Sequence, residues 1–480
     1  MVRLFAASSA GRTRPADDAH DRHALPDRGD QSDRRGHSSC QGSATAPTET
    51  GPVQPYLRSR PRVTVLSDDG QNGVGMPNPG SEHTGARIKR ARLNAGYTQR
   101  ELAEHTYLSL GTIRKVEQGE RLPTVGTLTA VARVLHVTVE DLTGQPYRHR
   151  PQDEQVHAPI AGIRAALRHW DLPPDWFDRP RPLHEVRTDV TTALEYRSAG
   201  RLSRLGQLLS GLIEELTASV HQHEGRDRRQ AARLLSFTYD MAHTLTYRLG
   251  YPDLRGQVED RLRWSAGLAD DPLLVALAEY DRVQTFKSAH EYDAGLRIME
   301  MARRRLVEEA TTRGPEYITV LGGMRLRDVT LASRLGDPAA TKHHISEARK
   351  LLEQLPNQDD RRHYRLIFGR GNLAIHEVQA SVELAQLEDA EKTIRSTVLP
   401  ASVTPTRRSA WHVHAARAYV AAGRPKKALE ELKEARATAP QITKYRPMAR
   451  DAATLLNLQF RHAPEDLRAL NSWFGINLSS

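Results

Sequence analysis

Residues 98–119 read TQRELAEHTYLSLGTIRKVEQG, and their spacing decides the fold of the first periodic part of the chain. Thr98, with Glu101 three positions on, is the capping box that opens a helix. Leu102 and Ala103 supply that helix's buried side. Ser109 then caps another helix, in which Ile113 and Val116 recur at helical spacing, and Gly119 ends it. A helix built only to pack has no use for Gly111 near its start, because glycine costs about 1 kcal/mol relative to alanine in a helix. Nor does it need two adjacent cations, Arg114 and Lys115, one turn later.

Outward from this stretch, ARIKRARLNAG predicts a preceding helix with Ile88 and Leu93 facing in and Arg87, Lys89, Arg90 and Arg92 outside. Gly96 closes it as a C′ glycine. After Arg121-Leu122-Pro123, Thr124 begins a fourth helix that buries Leu128, Val131, Ala132 and Leu135. The run VTVEDL starts a short fifth helix that lids the bundle. Residues 85–147 therefore make one small five-helix domain, with nine basic against six acidic residues.

The core of this domain, residues 88–142, resembles the Cro/C1-type helix-turn-helix family, often called XRE regulators. Thr98-Gln99, Glu101-Leu102-Ala103, Ser109, Ile113, Glu117, Gly119 and Pro123 carry the resemblance, in the family's spacing. It implies that the second helix lies across a DNA backbone while the third enters the major groove. Carried over by position, Gln99 is expected to hydrogen-bond a phosphate or an outer base. Ser109, Leu110, Gly111 and Thr112 are expected at the groove-facing turn, with Lys115 on the same side and Arg114 flanking it. Arg or Lys donating to guanine gives roughly 1–3 kcal/mol of discrimination. Gly111 then lets the backbone approach the groove, Leu110 can reach a thymine methyl, and base readout is sparse enough to lean on DNA shape. Glu117 is expected to brace the fold through an internal hydrogen bond. The bland reading of Arg114 and Lys115 is that of ordinary solvated charges.

From about 150 onward the sequence reads as all-helical. Residues 148–182, including QPYRHRPQDEQ and DLPPDWFDRPRP at their edges, are expected to form a linker or hinge. Within WHVHAARAYVAAGRPKKALEELKEARATAP, Tyr419, Gly423, Ala428, Leu432, Ala435 and Pro440 match the tetratricopeptide pattern, with Trp411 one place from its usual position. The interval from Gly423 to Ala435 recurs as Gly336 to Ala348. Weaker echoes are Tyr196 with Gly200, Tyr292 with Gly295 and Ala302, and Ala390 with Ile394. Such pairs bury their apolar faces only by stacking, so residues 183–480 are expected to form a tetratricopeptide-like α-solenoid with a right-handed curl and a concave surface. RHAPEDLRALNSWFGI would cap its end.

Composition sets the remaining bounds. The chain has 480 residues, a formal net charge of +10 and far more Arg than Lys. A basic balance suits nucleic acid, although it says nothing about fold. The one cysteine, Cys40, can form neither an internal disulfide nor a multi-cysteine zinc site. Residues 1–80, rich in Gly, Pro, Ser, Arg and Asp, are expected to be a disordered tail. Met76, just before the first periodic segment, is an alternative start. Neither a signal peptide nor a run of roughly 18 apolar residues is found, so the expectation is a cytoplasmic protein with no membrane partner.

No HExxH, Walker-type loop or GxSxG elbow occurs. His412 and His414, two apart on a helix, point to nearly opposite faces and cannot share a metal. GRGN at 369–372 lies between helical runs without a preceding strand, which argues against a phosphate loop. No enzyme activity, cofactor or metal is expected. The sequence therefore predicts an all-α regulator that binds double-stranded operator DNA as a homodimer, with a peptide, small-molecule or protein signal on its repeats. The competing reading is a protein-interaction scaffold whose helix-turn-helix is only a weak DNA tether.

Overall fold

The computed structural model describes residues 83–147, 151–172 and 180–476. The expected tail over 1–80, with Cys40 and Met76, lies outside the described residues, as does most of DLPPDWFDRPRP. Among the described residues no helix is long and apolar enough to cross a membrane.

The amino-terminal domain is five helices: α1 (Thr84–Asn94), α2 (Gln99–Thr106), α3 (Leu110–Glu117), α4 (Val125–Leu135) and α5 (Val139–Thr143). Each of the last four begins at a side-chain cap. Thr98 and Thr138 form capping boxes with Glu101 and Asp141, and Ser109 and Thr124 accept from Thr112 N and Thr127 N. Gly96 and Gly119 adopt φ of 76° and 77° as the chain leaves α1 and α3. Ile88, Leu102, Ile113, Val116, Leu128, Val131 and Leu135 close the core.

Three residues of α1 depart from the expectation. Leu93 is 58% exposed, whereas Arg92 is buried. Ile88 and Arg92 share a face one turn apart, and Leu93 falls off it. Arg92 can occupy that inward position because Glu117 meets it: Nε donates to Oε1 at 2.7 Å and Nη2 to Oε2 at 3.0 Å. Arg92 Nη1 also donates to Tyr97 O, tying α1 to the start of α2. Arg87 is buried too, its guanidinium lying against Gly144 at the end of α5.

The stretch 148–182 is more than a connector. It carries α6 (Pro151–His157) and α7 (Pro159–Ala166), and Val156, Ile160, Ile163 and Leu167 belong to the main apolar core. The repeat array then follows as six antiparallel pairs. These are α8 (Leu183–Ala199) with α9 (Leu202–Gln222), α10 (Gly225–Leu249) with α11 (Pro252–Leu268), and α12 (Pro272–Ser288) with α13 (Tyr292–Glu309). The others are α14 (Pro315–Leu335) with α15 (Pro338–Glu353), α16 (Arg370–Glu383) with α17 (Leu387–Ser396), and α18 (Pro405–Ala421) with α19 (Pro425–Thr438). α20 (Pro440–Lys444) and α21 (Pro447–Gln459) follow. α22 (Glu465–Phe474) buries Leu467, Leu470 and Phe474 against the last pair, as the terminal cap expected from sequence.

One backbone rule runs through the six pairs. The turn inside each passes through the left-handed region, at Gly200, Gly250, His290, Gly336, Ala385 and Gly423. In five of the six, counting twelve residues on from the turn reaches a buried residue, Leu212, Leu262, Ala302, Ala348 or Ala435, whereas Ala385 leads to half-buried Thr397. The third pair therefore corrects the sequence reading. Its turn residue is His290, and Gly295 lies inside α13 against Leu331 and Val283. A further departure from the all-helical expectation is a hairpin between α15 and α16, β1 (Arg361–His363) antiparallel to β2 (Leu366–Phe368).

Removing one member of a buried, hydrogen-bonded ion pair strands the other, at a cost of about 3–5 kcal/mol. Arg92→Met should therefore destabilise the amino-terminal domain by about that amount, and Arg92→Met/Glu117→Met should recover much of the loss. Hydrogen exchange of the α1–α3 amides, measured on both variants, checks this.

Candidate nucleic-acid interface

α3 carries two faces of opposite character. Ile113, Val116 and Glu117 point into the domain and are buried. Gly111, Arg114, Lys115 and Gln118, spaced as neighbours on one helix face, are all exposed. The side chains of Arg114 and Lys115 have no ion pair or hydrogen bond among the described residues, so two full positive charges stand free on the surface.

The other sequence-predicted residues surround this stripe in different ways. Ser109 Oγ receives Thr112 N at 3.1 Å and lies 2.8 Å from Thr112 Oγ1, so both hydroxyls are engaged in the cap. Arg121, exposed at the far end of α3, reaches back to Thr112 Oγ1 at 3.5 Å. Leu110 is half-buried against the domain core, which limits how far it can project. Gln99 donates from Nε2 to Glu117 Oε2 at 2.8 Å. Its amide still has a second N–H, and the bond to Glu117 fixes the direction in which that N–H points. Glu117 thus gathers Arg92 of α1 and Gln99 of α2 onto α3, in the bracing role the sequence suggested.

Gly111 has no internal reason to be glycine. Its φ is not in the left-handed region, and an added Cβ would meet nothing nearer than Ser109 Oγ at 3.9 Å. Packing within the domain therefore does not require glycine there. Three exposed residues that sequence reasoning passed over border the same region. Gln118 continues the stripe a turn beyond Lys115, and Arg100 follows Gln99 in α2. Tyr107, 91% exposed, sits at φ 55° in the turn between α2 and α3. The i, i+3, i+4, i+7 series from Gly111 pointed to Gln118. Nothing in the sequence marked Tyr107, whose exposure comes from the left-handed turn.

The opposite side of the domain is docked onto the array. Arg255 of α11 donates to Glu140 of α5 at 3.0 Å, both groups buried. Gln145 donates to Arg248 O at 3.0 Å, and Thr84 Oγ1 to Asp451 Oδ1 at 2.6 Å. Arg450 stacks over Tyr147, 4.1 Å from its centroid. The start of α1, α5 and the residues just after it are consumed by these contacts, and Gly126 of α4 lies close to Arg334 O, which leaves the α3 stripe facing outward.

The GRGN segment needs one correction. A strand, β2, does precede it, and residue 370 opens α16. No anion is required there, however, because Asp360 already occupies the helix start. Its carboxylate accepts from Gly371 N at 3.0 Å and Asn372 N at 2.7 Å. The histidines separate as expected from their spacing: His412 meets Glu431 at 2.7 Å, whereas His414 is buried.

Residues 88–142 match the family model HTH_3, described as Helix-turn-helix, so this segment is a helix-turn-helix domain. No curated protein matches the chain. Two solved structures are similar at low identity. One is PlcR of Bacillus thuringiensis in complex with the peptide PapR7 and DNA, at 13% identity and TM-score 0.25, covering 57% of this chain and 95% of that one. The other is a mutant of PrgX, at 12% identity and TM-score 0.22, covering 81% of this chain and 99% of that one.

Gly111→Ala should raise the stability of the domain by about 0.5–1 kcal/mol, the helix-propensity difference, because the site has room for the methyl. Thermal unfolding of the variant beside the parent chain reads this directly.

Proposed function

We propose that the protein is a cytoplasmic, sequence-specific transcription regulator that places α3 in the major groove of operator DNA. The observation that carries this reading is the exposed stripe of Gly111, Arg114, Lys115 and Gln118 on the third helix of a helix-turn-helix domain. Arg114 and Lys115 supply guanine or phosphate contacts, Gln99 and the caps at Ser109 and Thr112 hold the backbone near phosphate, and Gly111 permits close approach. A single small module reads too few bases to be selective. A homodimer would set two α3 helices about 34 Å apart, one duplex turn, and read a two-fold-symmetric site. The repeats are proposed to bind a signal rather than to catalyse a reaction. That signal shifts the equilibrium between arrangements only through its different affinities for them.

Selection of DNA from a random library by the full chain tests this. The expected result is a two-fold-symmetric site preferred by about 10³ or more over random DNA. Arg114→Ala/Lys115→Ala should lose that preference, and Gly111→Ala should weaken binding despite its gain in stability. Equal, salt-sensitive binding to all sequences would contradict the proposal and favour the scaffold with a DNA tether.

A further inference from the structure

A cavity of about 310 Å³ lies between the docked DNA-binding domain and the inner side of the array. Its wall is strongly unbalanced in charge. Arg248, Lys287, Arg327, Arg334, Arg407 and Arg446 all line it, and none has a carboxylate partner among the described residues. Away from the cavity, buried arginines such as Arg92, Arg303 and Arg417 meet Glu117, Asp328 and Glu383, and on the wall itself Arg365 meets Asp240. Nor do the acids on the wall offset the six. Glu140 is taken by Arg255, and Asp451, which accepts from Thr84, stands near the charges of Arg87, Arg450 and Arg417, none of them among the six. Burial pushes the Asp281 carboxyl up to about 7, despite its neighbour His243.

Several of the cations are deeply placed. Lys287 and Arg446 are only 6% and 8% exposed. Nε of Arg327, Arg334 and Arg446 and Nη2 of Arg407 are buried donors without an acceptor. Burial, with Arg327, Arg334, Arg248 and Arg255 adding to it, holds the Lys287 ammonium well below its ordinary range. Two of the three tyrosines on the wall lie against these cations. Arg327 lies 3.9 Å from the Tyr280 centroid, and Lys287 and Arg248 approach Tyr247 at 5.4 and 5.3 Å. Buried donors of one sign converging on one cavity make an anion site, because an isolated buried charge is costly until it is paired. The volume is at the lower end for ligand pockets, which suits a small molecule.

We infer that this cavity binds a small polyanion, a molecule with two or more phosphate or carboxylate groups, and that the bound anion fastens the DNA-binding domain to the repeats. The second half follows from who builds the wall. Leu128 and Thr129 of α4 and Glu140 and Thr143 of α5 face the same volume as the six cations of the array. An occupant therefore touches both domains, and its binding favours the docked arrangement. This gives the signal of the proposed regulator its chemical class and rests on that reading for its regulatory meaning. The binding itself does not depend on it.

The test is thermal unfolding of the full chain in chloride buffer, with sodium pyrophosphate or sodium citrate added at constant ionic strength. At least one of the two should raise Tm in a saturable way, and the one that does so tells phosphate from carboxylate. Lys287→Met should melt above the parent chain in chloride, since it replaces a buried amine whose charged form burial and the neighbouring arginines disfavour with an apolar side chain of similar length. It should also weaken the anion response by about tenfold or more, a loss of about 1.4 kcal/mol or more. Arg334→Gln provides the same pair of readouts if Lys287→Met does not fold. Arg114→Ala/Lys115→Ala, altered on the outward face of α3, should keep the full response. No shift with either anion, a response undiminished in both cavity variants, or a response lost in the α3 variant would overturn the inference. A chain that selects a DNA site yet ignores both anions defeats the cavity assignment alone. One that binds an anion but prefers no DNA sequence defeats the regulator reading alone.

Discussion

A buried carboxylate must find a cation, and Glu140 finds Arg255 across the seam between the helix-turn-helix domain and the repeats. Stranding either group would cost about 3–5 kcal/mol, so this pair resists separation more strongly than an apolar contact of similar size. The Thr84–Asp451 hydrogen bond and the stacking of Arg450 on Tyr147 act along the same seam. Their joint effect is orientational. The DNA-binding domain is held by its α1, α4 and α5 side, and α3 is left on the outside. A recognition helix on a free tether could sample any direction. Here its direction relative to the array follows from which side of the domain is docked.

The same seam places electrostatics at the centre of the molecule. Glu140 both fastens the domain and stands on the wall of the cavity, where the array contributes six basic side chains with no carboxylate partner among the described residues. Mutual repulsion among those cations works against closure of the seam, and the ion pairs across it work in favour. A state balanced in this way responds to charge: an anion between the two domains removes the repulsion and leaves the attraction. The coupling needs no long chain of intermediates, since Glu140 and Thr143 of α5 already form part of the wall.

Much of the helix-turn-helix domain was legible because its signals are local. Caps at Thr98, Ser109 and Thr124 and the glycines 96 and 119 act within a few residues, so spacing alone locates the helix ends. Arg87 and Arg92 were misplaced for the opposite reason. Arginine reads as exposed until a partner appears, and Glu117 lies 25 positions from Arg92 in the chain. The repeats were half-legible on similar grounds. Four of the six turns use glycine for the left-handed residue, and His290 and Ala385 do not, which concealed the register of two pairs. The docking of the domain and the cavity behind it had no sequence signature. They assemble residues from 123 to 451, and no local pattern encodes such an encounter.

The central claim is that the outward stripe of α3 is the surface that meets DNA. Hydrogen exchange of the full chain, with and without the duplex recovered by selection, tests it most directly. Protection confined mainly to 99–100 and 109–118, with the docked side of α4 and α5 unchanged, is the result this account predicts. Protection elsewhere, with the amides of α3 exchanging at the same rate in both samples, would contradict it.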